Sequence, residues 1–322
     1  MPPTTPCRKR TISFSHCWIV EMGAVSAEGF PMPMRQSATS ARWVLSAPLL
    51  VFLAVFAVFP LALGTWISLT DRSILSFSIN FVGLKNYADT LRDPDFWHAV
   101  FFTLKFTLIS TFATLVLGFL LALLVHRRFP GKTLLVTALI MPIMVAPALM
   151  GIMFRLVLNA EIGLVPAILD RFGIAIHLFS PHLVVPLLIL LEILQWTPFT
   201  FLILYAGLQA LPDDVFEAAA LDGSSPLRTT FMITIPLMVP SFFVAGFLRA
   251  VDALRTFDVI FVLTGGGPGS LTNTLSIYIY KKAFTEGNFG LATAAAMLVL
   301  LMVVPLIPFL IRRVTTRVGD VP

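Results

Sequence analysis

The sequence is short of charge. Of its 322 residues only 12% are Asp, Glu, Lys or Arg, and 57% are hydrophobic. An average soluble domain is about a quarter charged. The shortage excludes a disordered chain and argues against an ordinary water-soluble enzyme. Cysteine is scarcer still. Cys7 and Cys17 both precede the first long apolar run, so neither a disulfide framework nor a cysteine metal site is expected. The five histidines, His16, His98, His126, His177 and His182, form no His-Glu-x-x-His pair and read as solvated or interfacial. No Gly-x-Ser-x-Gly elbow is present. The first forty residues lack a continuous apolar core, so no cleavable signal peptide is expected.

A nucleotide site is missing as well. Gly131-Lys132-Thr133 supplies the end of a phosphate-binding loop, but the earlier glycine that the pattern needs is replaced by His126. Gly265-Gly266-Gly267-Pro268-Gly269 has no following Lys-Ser/Thr and reads as a turn. The chain is therefore expected to bind no ATP of its own.

What the chain has is apolar length. Mean hydropathy is +0.92, and the apolar residues gather into six runs: Trp43 to Leu69, Ala99 to Val125, Leu134 to Leu158, Leu183 to Leu208, Leu237 to Leu263 and Leu291 to Ile311. A bilayer core about 30 Å thick takes roughly 20 helical residues. All six runs are apolar on every face, as lipid-embedded helices are. The expected fold is all-α, a polytopic membrane protein with six transmembrane helices. Pro60, Pro142, Pro147, Pro186, Pro198 and Pro305 fall inside the runs, where neighbouring helices can re-satisfy the freed carbonyls, and they point to kinks.

Charge placement gives orientation. With the N-terminus inside, the cytoplasmic side holds Arg8, Lys9, Arg10, Arg35, Arg42, Arg127, Arg128, Lys132, Arg228, Arg312, Arg313 and Arg317. The outer side holds Arg72, Lys85, Arg92, Arg171, Lys281 and Lys282, half as many. This bias and the even number of runs place both termini in the cytoplasm. The net charge of +5 thus reads as topology rather than as a nucleic-acid surface. Residues 1–33 carry no periodicity and read as disordered or as the product of an upstream start codon, because Met34-Arg35-Gln36 is a second plausible beginning.

Between the fourth and fifth runs lies an unusual polar segment, residues 211–236. Pro212, Asp213 and Asp214 favour a helix start. Val215, Phe216, the three alanines and Leu221 follow, and Gly223 can stop the helix. A second helix can start near Ser225-Pro226 and end before Pro236. From the residues alone this is either a docking helix-turn-helix or an inert connection.

Glu217-Ala218-Ala219, three residues, Gly223, nine residues, then Ile233-x-Ile235-Pro236 resembles the EAA loop of ABC importer permeases. Phe81-Val82-Gly83-Leu84-Lys85-Asn86-Tyr87 with Phe96-Trp97, and Phe257-Asp258 with Leu263-Thr264-Gly265-Gly266-Gly267-Pro268, resemble flanking segments of the carbohydrate-type permeases. The resemblance covers roughly Trp43 to Arg317. Ser224 stands where alanine is usual, and Ile235 where leucine is common.

The resemblance implies a type I importer transmembrane domain. Its coupling helix, with Glu217, Ala218, Ala219, Asp222 and Gly223, would dock on a cytoplasmic ABC ATPase dimer that carries the ATP and magnesium. This chain itself would be non-catalytic, with no cofactor and no metal. The other implied partners are a second permease subunit, an extracytoplasmic solute-binding protein and membrane lipid, with no nucleic acid. The expected organisation is a cytoplasmic segment 1–42, a first transmembrane helix with its outer loop 43–98, a core 99–314, and a cytoplasmic tail 315–322. The setting is the cytoplasmic (inner) membrane of a bacterium.

An intramembrane charge costs about 2.5–3.5 kcal/mol, so each asks for a reason. The fifth run carries Arg249, Asp252, Arg255 and Asp258, alternating in sign at steps of three. They form either a structural ion-pair ladder or a lining of the solute route. Glu192, Gln195 and Trp196 in the fourth run suit either a sugar face or contacts between helices. Lys105 and Arg155 are expected to reach toward the membrane surface. A self-sufficient secondary transporter or channel, coupled through Glu192 or Asp252, is the competing class.

Overall fold

The computed structural model describes residues 38–74, 79–126, 129–174 and 177–304. The segment 1–33 with both cysteines, Arg35, Arg127, Arg128, the end of the sixth run from Pro305, Arg312, Arg313, Arg317 and the tail 315–322 lie outside the described residues. The chain divides into two compact units, Met1–Phe59 and Pro60–Pro322.

In the first unit, α1 (Ala38–Leu53) widens into a π-helical turn, Ala54–Val58. Next along the chain is α2 (Phe59–Ser68). The second unit continues with α3 (Lys85–Arg92), which ends because Asp93 precedes a proline and is held extended at ψ 117°. Pro94, whose missing N–H costs nothing at a helix start, then opens α4 (Pro94–His126), 33 residues long. Farther on come α5 (Lys132–Ile140), α6 (Pro147–Val157), α7 (Leu164–Arg171) and α8 (Val184–Gln209). The polar segment forms α9 (Asp213–Leu221), α10 (Pro226–Thr229) and α11 (Ile235–Leu237). The remainder is α12 (Val239–Leu254), α13 (Asp258–Thr264), α14 (Leu275–Tyr280) and α15 (Phe289–Val303). Extended pairing among the described residues is limited to isolated bridges such as Thr70 with Phe81 and Ser73 with Asn288.

Three helical stretches are long and apolar enough to cross a bilayer: Ser46–Ser68, Pro94–His126 and Val184–Gln209. Two more runs are broken. The third run is not one helix. A 3-10 turn, Met141–Met144, leads to a 95° bend before α6. Ala146 precedes Pro147 and sits at ψ 137°, outside the helical region, as a residue before proline is driven to do. The fifth run bends by 67° where α11 gives way to α12. Pro236 and Pro240 flank that bend and donate no N–H. The sixth run is described only as α15, 15 residues.

In lipid, burying an apolar side chain gains little, so helices associate through close packing of small residues. The α4 sequence provides this. Thr103, Thr107, Ser110, Thr114, Gly118 and Ala122 recur at steps of three or four and are all buried. At Gly118 the α8 backbone comes so near that a Cβ would lie 2.5 Å from Thr200 Oγ1 and 2.9 Å from Phe201 N. The Thr200 hydroxyl donates to the Thr114 carbonyl across the same seam, at 2.7 Å. On this seam sit Phe106, Leu188 and Ile260 toward α13, and Phe119, Phe201, Leu204 and Met238 toward α12. A third cluster, Phe96, Ala99, Tyr278 and Ala295, ties α4 to α14 and α15.

Candidate functional site

Two places in the second unit gather the polar residues singled out in the sequence. The first is a cavity of about 330 Å³ lined by Pro147, Glu192, Trp196, Asp252, Arg255, Thr256, Phe257, Asp258 and Val259. Behind it Arg249 is fully buried, at 0% exposure, and donates through Nη2 to Glu192 Oε1 at 2.5 Å. The guanidinium lies 5.2 Å from the centre of the Trp196 ring. Its Nη1 reaches Asp252 Oδ2 at 3.4 Å. Asp252 Oδ1 accepts in turn from Arg255, whose side chain is 78% exposed, at 3.1 Å.

The expected ladder is therefore only partly a ladder. Arg249, Asp252 and Arg255 keep it, but Asp258 does not, because the helix stops. α12 ends at Leu254, and Asp258 is the first residue of α13. The loop between them is held from α14: the Thr274 hydroxyl donates to Thr256 O and the Ser276 hydroxyl to Arg255 O. Among the described residues Asp258 makes no ion pair. The members of the ladder differ in where they stand. Arg249 is interior and paired, whereas Asp252, Arg255 and Asp258 line the cavity.

Gln195 is buried but does not line the cavity, and its Oε1 finds no hydrogen-bond partner among the described residues. Arg155 donates from Nη1 to Val262 O at 3.2 Å, so it closes a carbonyl of α13. Lys105 is exposed. The sequence missed Arg249 as the partner of Glu192, and Pro147 and Thr256 as cavity walls. The only local signal was the pattern of prolines and charges.

The second place is the segment after α8. Asp213 and Asp214 fill the first turn of α9, where the exposed N–H groups favour negative charge. The helix closes as a Schellman motif: Ser224 N–H donates to Ala219 O and Gly223 N–H to Ala220 O. Gly223 adopts φ +69°, a left-handed conformation that disfavours any side chain. Ser225 then caps α10 by accepting from the Arg228 N–H at 3.4 Å. The second helix does not end before Pro236. It passes through a π turn, Thr230–Thr234, and Ile235 N–H reaches back to Thr230 O just ahead of the proline that cannot donate. Ala219 is buried, whereas Glu217, Ala218 and Asp222 are exposed. Leu221 is 89% exposed. An apolar groove of about 1000 Å³ runs between α4 and this segment, lined by residues that include Phe112, Phe119, Leu123, Phe216 and Phe231.

With this arrangement in view, comparison with known proteins is direct. Residues 114–317 match the model of the family described as "binding-protein-dependent transport system inner membrane component". This chain belongs to that family. The trehalose/maltose transport system permease protein MalF of Thermococcus litoralis is 34% identical over 263 residues, covering 81% of this chain and 89% of that protein. The sn-glycerol-3-phosphate transport system permease protein UgpA of Brucella abortus is 32% identical, covering 86% of this chain and 95% of its own length. Among solved structures, a chain of a bacterial ABC transporter that imports the acidic polysaccharide alginate superposes with a TM-score of 0.75 at 20% identity, covering 86% of this chain and 96% of that one. A chain of the alginate transporter in complex with its pentasaccharide-bound periplasmic protein gives a TM-score of 0.77, also at 20% identity, covering 89% and 99%. The chain is a permease component of an inner-membrane ABC import system, mostly helical and with the fold of those importers.

Proposed function

We propose that this permease forms one half of the pore for a sugar, polyol or similar solute, and that α9 is the helix through which a separate ATPase drives it. Relatives named for trehalose/maltose and for sn-glycerol-3-phosphate support the solute class. The six spans of this reading are Ser46–Ser68, α4, the α5–α6 pair, α8, the α10–α12 pair and α15 with the residues that follow it. Residues 1–42 and 315–322 then lie in the cytoplasm as terminal segments, 43–98 form the first span with its outer loop, and 99–314 form the core. ATP and magnesium belong to the ATPase dimer, and this chain performs no catalysis. A second permease subunit completes the pore, and a solute-binding protein delivers from outside. The cavity beside Glu192, Trp196, Asp252, Arg255 and Asp258 lies on the solute route.

The observation that carries the proposal is the unpartnered face of the α9 segment. Glu217 has no ion pair among the described residues, and Leu221, Leu227, Phe231 and Met232 of the same segment are all more than 60% exposed. An exposed carboxylate on a segment with exposed apolar side chains suits a docking element. Closure of the ATPase dimer would move this element, and the bent pairs of helices would pass the motion on. Proton coupling through Glu192 has less support, because Arg249 already holds that carboxylate.

The test is Glu217→Lys in the importer expressed with its genomic neighbours. The variant chain is expected at normal abundance in the membrane, with the ATPase lost on purification and uptake abolished. An ATPase that still co-purifies, with unimpaired uptake, overturns the docking role.

A further inference from the structure

We infer that the cavity selects solutes by charge, passing neutral or amino-bearing sugars and polyols and excluding anions such as sugar phosphates, uronates and sulfonates, with Asp258 as the residue that sets the sign. The inference rests on the reading that this cavity lies on the solute route. Family membership leaves the charge class open, since relatives are named for neutral trehalose/maltose and for anionic sn-glycerol-3-phosphate.

The charges around the cavity balance except for one. Arg249 is taken up by Glu192 and Asp252, and Arg255 is held on Asp252 through Nε at 3.4 Å and Nη2 at 3.1 Å. Two guanidinium groups thus face two carboxylates. Asp258 is the remainder: it lines the cavity, is exposed to it, and has no ion pair among the described residues. A confined site with low-dielectric walls focuses the field of an uncompensated charge. Such a field repels an incoming anion and leaves a hydroxylated neutral solute free to bond Thr256 and the carboxylate oxygens. Trp196 offers an aromatic wall whose electron-rich face already holds a cation, the Arg249 guanidinium.

The experiment reads the cavity's charge without knowing the solute. In the full importer, with Cys7 and Cys17 replaced by serine, the Thr256→Cys variant is treated with cationic and anionic methanethiosulfonates of matched size. The cation-to-anion rate ratio is compared with that of free cysteine. The expected ratio exceeds the free value by about a hundredfold, the scale of one charge acting in opposite senses on the two reagents over roughly 10 Å at an effective dielectric near 20. Asp258→Asn should bring it toward the free value and Asp258→Lys should invert it. Arg255→Gln, at an exposed side chain, should raise it further, and it carries the test if the Asp258 variants do not assemble. A Thr256→Cys thiol that reacts with the free-cysteine ratio overturns the charge selection alone. A Thr256→Cys thiol inert to both reagents, with or without ATP, instead overturns the placement of this cavity on the solute route. Ratios unmoved by Asp258 and Arg255 substitutions overturn the role assigned to Asp258.

Discussion

The two polar regions of this permease handle their charges in opposite ways. Around Glu192 and Arg249 the groups are buried and answer one another within the chain, through an ion pair, a second carboxylate and an aromatic ring. In the α9 segment Glu217 and Asp222 are exposed and make no ion pair among the described residues, while apolar side chains of the same segment stand in the open. The first region is expected to govern whether the subunit exists at all. The second is expected to govern only what the subunit binds. Substitutions in the two regions should therefore separate abundance from assembly.

Arg249→Leu should produce the largest effect. It leaves the Glu192 carboxylate buried without its partner, a loss of about 3–5 kcal/mol for a broken buried pair. The expected outcome is a collapse of membrane abundance, measured by quantitative immunoblot of the tagged chain. Replacing both members, Glu192→Leu with Arg249→Leu, should recover much of that abundance, because no lone charge remains. Normal abundance of the single variant would dissolve the contrast, since the buried cluster would then be as dispensable to folding as the exposed one.

Gly118→Val comes next. The Cβ would meet the α8 backbone at 2.9 Å, which cannot yield as a side-chain tip can. Overpacking of this kind costs about 1–3 kcal/mol. Lower thermal stability of the purified complex is expected, with the retained fraction still carrying its ATPase. Selective loss of the ATPase at full stability would show that the α4–α8 seam acts on the docking segment rather than on the fold.

Much of this was legible in the sequence, for a physical reason that also marks its limit. The start of α9 at Pro212-Asp213-Asp214 and its stop at Gly223 were readable because capping chemistry lies within a few residues of the helix end. The long α4 and α8 were readable because apolar length is local as well. The partner of Glu192 was not, because Arg249 lies 57 residues away and many arrangements of the same charges satisfy the composition. Nor was the break that detaches Asp258 from its ladder, since Thr274 and Ser276, 18 and 21 residues beyond the carbonyls they bond, hold the loop that makes it. The bend at Pro147 was signalled only as a kink, and Pro236 only as the end of a helix. Whether a proline kinks a span or splits it depends on what satisfies the neighbouring carbonyls.

A smaller effect is expected at Gly223, and it sharpens the contrast from the exposed side. At φ +69° an alanine costs about 1 kcal/mol in backbone energy, and nothing within 4 Å of the added Cβ would clash. Gly223→Ala should leave abundance unchanged and weaken ATPase retention during washing. A fall in abundance equal to that of Gly118→Val would mean that the turn supports the bundle as well as the docking surface.

The smallest effect belongs to a third set of charges, outside the spans of the proposed topology, which is neither buried nor open. Tyr278 Oη donates to Asp93 Oδ2 at 2.7 Å, and Lys282 Nζ stands 3.5 Å from the same oxygen and 2.9 Å from Glu286. Burial pushes the Asp93 carboxyl up, but the Tyr278 hydroxyl, the Asp95 N–H and the Lys282 ammonium outweigh it and hold the group below its ordinary 3.8. Burial likewise pulls Lys282 down, and Glu286 and Asp93 outweigh it, so it sits above its ordinary 10.5. A lowered carboxyl adds stability that is present above pH 3.8 and lost as pH falls through the folded value. A raised ammonium adds stability that is present below pH 10.5 and lost as pH rises through its folded value. The cluster should therefore be indifferent to pH from about 5 to 9 and fail only at the extremes. Tyr278→Phe removes one hydrogen bond to a charged group, about 1.5–3 kcal/mol when fully buried and less at this partly exposed site. The melting temperature of the complex should fall slightly at neutral pH, and the loss of stability at acid pH that Asp93 contributes should be smaller than in the unsubstituted protein. An acid loss of unchanged size would mean that the Asp95 N–H and Lys282 set the Asp93 carboxyl, and that the tyrosine serves only the aromatic packing against Phe96.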